Sequence, residues 1–79
     1  MKSYMTKPVA SEADARVFIE ALHDDGKLYH FDNSPETVVC CASGAPTFTA
    51  EECVALRLRV AELFVLPGFD PFEFALELL

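Results

Sequence analysis

The sequence predicts a small α+β domain, and three observations predict it. Two segments carry apolar residues at helical spacing, each opening on a capping residue. Between them lies a stretch of aromatic and β-branched residues broken by turn formers. A third capped apolar segment closes the chain. The expected order is helix, β-hairpin of two strands or of three with Thr47-Phe48, then two helices, in one domain over residues 11–79 behind a loose leader, residues 1–10.

The leader is expected to be extended, because Pro8 restricts Lys7 and only Met5 and Val9 offer burial nearby. Ser11 opens the first helix, with Asp14 three residues on as in a capping box and acids at the positive end of the dipole. Its expected buried stripe is Val17, Phe18, Ala21 and Leu22, with Glu12, Arg16, Glu20 and Asp24 four apart on the solvent face. Gly26 is a natural left-handed stop after Asp25. Lys27–Phe31 and Thr37–Ala42 read as paired strands around the turn cluster Asp32-Asn33-Ser34-Pro35. Thr49-Ala50-Glu51-Glu52 is a full capping box for the second helix, whose expected stripe is Cys53, Leu56, Val60, Leu63 and Phe64. Pro67-Gly68 stops it. Asp70-Pro71-Phe72-Glu73 opens the third helix with an Asp cap, Pro at the first position and Glu at the third.

Seventy-nine residues make one domain, and a chain of this size buries only roughly 60% of its unfolded surface. With 52% hydrophobic residues and seven Phe, it holds more apolar material than one thin core requires. The net charge is −7, but Lys2 and Lys7 sit in the leader. From Ser11 onward thirteen acids face four bases, which puts that body near −9. Such a field disfavours direct binding to nucleic acid or an anionic membrane and speeds encounter with basic proteins. No 7–15-residue apolar stretch of a signal peptide leads the chain, and no run approaches a membrane span. Three cysteines, two of them adjacent (Cys40, Cys41), form no disulfide framework, so a reducing cytoplasm is the expected compartment.

No cofactor or metal is expected. His23, His30, Cys40, Cys41 and Cys53 lack the paired spacing of a zinc site, and the Asp32–Glu36 turn lacks the alternation of a calcium loop. Catalysis by Cys40, Cys41 or Ser34 with His30 or His23 would need a pocket that so small a body has little volume to form. The expectation is a protein that is not an enzyme.

Two features stand out as candidate surfaces. Glu20, Asp24, Asp25, Asp32 and Glu36 cluster around the end of the first helix and the hairpin tip, and Asp24-Asp25 sit where the helix dipole disfavours carboxylates. These five are the candidate partner-binding residues. The second feature is the run Phe64–Phe74, which holds four of the seven Phe. On the last helix Phe72, Leu76 and Leu79 are expected to face the core. Phe74 and Leu78 then point outward as the candidate contact of a homodimer.

The segment Tyr29-His30-Phe31-Asp32 with Ser34-Pro35-Glu36, followed by Phe48-Thr49-Ala50-Glu51-Glu52 and Arg59-Val60-Ala61-Glu62-Leu63, resembles short proteins of phages and conjugative elements, over roughly residues 12–65. In size and charge the chain also resembles anti-CRISPR proteins. That resemblance implies an inhibitor that occupies a basic, nucleic-acid-binding surface of a CRISPR effector complex, with carboxylates where phosphates would lie. The expected function is such a small acidic inhibitor. The alternative is a homodimeric structural or assembly protein joined through its apolar C-terminal helix.

Overall fold

The computed structural model describes residues 2–25 and 49–78. They form four helices: α1 (Ser3–Thr6), α2 (Glu12–Asp24), α3 (Ala50–Phe64) and α4 (Pro71–Leu78). These hold 74% of the described residues, and no strand occurs among them. The α+β expectation is therefore corrected: the described fold is helical. The residues read as strands and hairpin, between Lys27 and Phe48, lie outside the described residues.

The capping chemistry forms as the residues dictate. Ser11 is extended (φ −146°, ψ 168°), and its hydroxyl accepts the Asp14 N–H at 3.2 Å. The Asp14 carboxylate does not close the box. It accepts instead from the Ala10 N–H at 3.2 Å, with Lys7 Nζ 3.6 Å away. These contacts, the Ala10 N–H foremost, hold the Asp14 carboxyl below its ordinary 3.8. At α3 both halves of the box are present: Glu52 N–H donates to Thr49 Oγ1 at 3.1 Å and Thr49 N–H to Glu52 Oε1 at 2.9 Å. Gly68 takes the left-handed conformation (φ +73°) that turns the chain after α3. Asp70 Oδ1 then accepts the N–H groups of Phe72 (3.0 Å) and Glu73 (3.3 Å) to start α4.

Residues 2–10 of the expected loose leader are packed on the other described helices. Met5 is fully buried and Val9 nearly so, and α1 packs on both α2 and α3. Polar ties to α2 and α3 hold this segment down. Lys2 Nζ and the Tyr4 hydroxyl donate to the two oxygens of Asp25 at 2.9 and 2.7 Å. Val9 N–H donates to Glu62 Oε1 at 2.9 Å. Arg59, only 9% exposed, grips both carboxylate oxygens of Glu62 (2.7 and 3.2 Å) and reaches the Met5 carbonyl at 3.4 Å. Because the segment belongs to the fold, Lys2 and Lys7 belong with it, and the charge of the folded chain is better represented by −7 than by −9.

The buried stripe is rotated from the expected one on α2 and α4, whereas α3 buries Leu56, Val60 and Leu63 as expected. On α2 it comprises Ala15, Phe18, Ile19 and Leu22, while Val17 is exposed and Ala21 half-buried. This phase gathers the bulkiest apolar residues of the helix against α1 and α4. On α3 it comprises Leu56, Arg59, Val60 and Leu63, with Cys53 and Phe64 half-buried. On α4 the phase is reversed. Phe74 and Ala75 are buried, Phe72 is half-buried against Phe64 (ring centroids 5.2 Å, edge-on), and Leu76 is 65% exposed. Leu79 lies outside the described residues. The reversal follows from the packing of α4 on α2, which takes the Phe74 side of a helix that is apolar nearly all round.

Removing one partner of a largely buried ion pair strands the other charge away from water. Arg59→Met should therefore lower unfolding free energy by about 2–4 kcal/mol, measured by urea denaturation, whereas Arg57→Met on the exposed side of the same helix should change it by about 0.5 kcal/mol or less.

Candidate functional site

Helix α2 projects Glu12, Arg16, Glu20 and Asp24 at intervals of one turn, as four-residue spacing requires. All four are exposed. Helix α4 packs beside α2 and brings up Glu73 and Glu77, also exposed, with the capping residue Asp70 at its start. Between the two helices lies an open groove of about 220 Å³. Glu12, Asp70, Glu73 and Glu77 line it, with Arg16 among them and Phe69 and Phe74 beneath. Arg16 Nε donates to Glu12 Oε2 at 3.0 Å, and its guanidinium lies 5.0 Å from the centroid of the Phe74 ring. Four carboxylates against one guanidinium leave the groove strongly negative.

Three of the five carboxylates expected to bind a partner, Glu20, Asp24 and Asp25, are among the described residues. Glu20 and Asp24 are exposed on α2. Asp25 is instead a structural acceptor, held by Lys2 and Tyr4, and partly buried. Asp32 and Glu36 lie outside the described residues. Sequence spacing does not single out Asp70, Glu73 and Glu77 as surface groups, because Asp70 and Glu73 double as helix-start signals. The α2 and α4 acids come together through the contact of two helices far apart in sequence, which no spacing reveals.

Of the two residues expected at a dimer contact, Phe74 is in the core (9% exposed) and Leu78 is half-buried. The apolar surface left outward lies elsewhere. Val54, Leu58 and Ala61 on α3 and Val65 at its C-cap are exposed at spacings of four, three and four, on the side opposite Leu56, Val60 and Leu63. Leu76 adds an exposed apolar side chain on α4.

Among the described residues no group of three or more His, Cys, Asp or Glu side chains is arranged to hold a metal ion. His23 and Cys53 sit half-buried on different helices, while His30, Cys40 and Cys41 lie outside the described residues. No described helix is long and apolar enough to cross a membrane. Comparison with protein-family models, with curated proteins and with solved structures finds no match to the chain.

Burial first, and then the hydrogen bond to the Asp25 carboxylate, raise the pKa of Tyr4 well above its ordinary 10.0. The neutral phenol is thus favoured in the folded state. Its contribution to stability is complete below pH 10.0 and is lost as pH rises from there toward the folded value. Wild-type protein should lose stability across this alkaline range more steeply than Tyr4→Phe, which keeps the edge-on ring contact to Phe18 but has no proton to lose. Chemical denaturation at pH 8 and pH 11 measures the difference, and equal slopes for the two proteins would discount the Tyr4–Asp25 bond.

Proposed function

We propose that this protein is a non-enzymatic binding protein that inhibits or adapts a nucleic-acid-handling protein complex by covering a basic surface on it. The observation that supports the reading is the double row of carboxylates: Glu20 and Asp24 continue along α2 from Glu12, and Glu73 and Glu77 stand on the neighbouring helix. Rows of carboxylates on two rigid helices can meet lysines and arginines that otherwise hold phosphates, the mode that the likeness to anti-CRISPR proteins implies. Charge of this kind chiefly accelerates encounter and excludes partners of like sign, so the protein would not itself bind nucleic acid or an anionic membrane. A CRISPR effector complex is one target of this chemistry.

The test is capture of the partner from host lysate at about 50 mM and about 500 mM salt, since screening weakens contacts between exposed charges. Glu20→Gln with Asp24→Asn should reduce captured partner about tenfold at low salt. Retention of full capture by this variant, and by one that also neutralises Asp32 and Glu36, would sink the reading.

Self-association is a second reading, favoured by the outward stripe of α3 rather than by the C-terminal helix. If it operates, sedimentation should show a dimer at high protein concentration that Leu58→Ser converts to monomer. A wild-type monomer at millimolar concentration rules it out.

A further inference from the structure

The outward stripe of α3, formed by Val54, Leu58, Ala61 and the C-cap Val65, alternates steps of four and three. That alternation is the seam along which one helix lies beside another, narrower than the band a helix turns to a core. The charges beside it are sorted. At about 100° per residue, Arg57 falls on one edge of the stripe and Glu62 on the other. Arg57 is exposed and makes no ion pair among the described residues, whereas Lys2, Lys7, Arg16 and Arg59 each have a carboxylate. On a chain with thirteen acids, the described arginine left unpaired is therefore the one that borders the exposed apolar seam. Glu62 can take another donor. Its Oε1 accepts from Arg59 Nε and the Val9 N–H, and its Oε2 accepts from Arg59 alone. A carboxylate has about four lone-pair positions, so Oε2 keeps one, on a side chain 32% exposed.

We infer that the seam is covered by the α3 of a second copy of this chain, lying parallel to the first about a two-fold axis along the helices. In a parallel pair each edge of one seam meets the opposite edge of the other, so Arg57 of each copy reaches Glu62 of its twin, twice by symmetry. In an antiparallel pair like edges meet, and the two charges never come together. Leu58 packs on its twin at the centre. Glu51 lies one heptad before Leu58 and is exposed, so in the parallel pair it faces its own copy and opposes the contact. The inference rests on the self-association reading and adds to it an orientation and a charge pair. Four apolar residues are far fewer than the roughly 20–30 per side of a standard interface, so the dimer is weak and forms only at high concentration.

The experiment is sedimentation equilibrium of the full chain up to millimolar concentration in about 150 mM salt, where screening over roughly 8 Å mutes distant charges. Circular dichroism verifies that each variant is folded, and Glu62 is left unchanged because Arg59 depends on it. Arg57→Gln should weaken the dimer about fivefold, through the loss of two symmetric pairs. Glu51→Gln should tighten it about threefold by removing the contact between like charges. Arg16→Gln and Glu20→Gln make the same changes of net charge on α2, and each should shift the dimer constant by less than about twofold. A dimer that ignores Arg57→Gln or Glu51→Gln, or that responds as strongly to the α2 variants, overturns the parallel pairing and leaves self-association standing. A wild-type monomer at millimolar concentration overturns both.

Discussion

The fold depends on the Arg59–Glu62 pair. It lies within one turn of α3, yet its work is between segments. Arg59 presents both of its forked nitrogens to the carboxylate and keeps a third for the Met5 carbonyl, while the same carboxylate takes the Val9 N–H. An arginine nine-tenths buried would be costly alone, and a backbone N–H at the edge of the core would be unsatisfied. Each solves the other's problem. Met5 and Val9 can then enter the core between α2 and α3 with their backbone groups accounted for.

The same logic governs the surface. Of the acids grouped by sequence, those nearest the N-terminal segment serve the structure: Asp25 receives Lys2 and Tyr4, and Asp14 receives Ala10 and Lys7. Among the described residues, the groove acids of α2 and α4 have one base among them, Arg16, and it is seated on an aromatic ring. Lys2, Lys7 and Arg59 thus serve the N-terminal segment, and the α2–α4 groove is left negative. Overall charge does not report this partition, because it arises from which carboxylates have backbone or basic neighbours.

Local chemistry was legible in the sequence and long-range contact was not. Thr49-Ala50-Glu51-Glu52 announced both hydrogen bonds that it makes, and Ser11 and Asp70 announced theirs, because caps involve residues within three positions. The role of Met5 and Val9 was hidden because their partners are more than fifty positions away. On α4, apolar on every side, periodicity allowed two phases, and only contact with α2 selects the one that buries Phe74 and exposes Leu76. A buried Arg59 at the edge of an apolar stripe also breaks the binary pattern that located the other core positions. For the candidate site, the α2 row was visible at four-residue spacing, whereas its neighbour row on α4 was disguised as capping.

The tie between Val9 and Glu62 spans 53 positions, which has a consequence for how the protein is made. A ribosome adding about 5–20 residues per second needs roughly 3–10 s to supply the second partner after the first. During that interval Met5, Val9 and the apolar side of α2 have no α3 to pack on, and the entropy of bringing the two ends together is spent only when α3 emerges. The nascent chain therefore gains its core late and all at once. Substitutions at the Arg59–Glu62 junction would be felt as aggregation during synthesis before they were felt as loss of stability in the finished molecule.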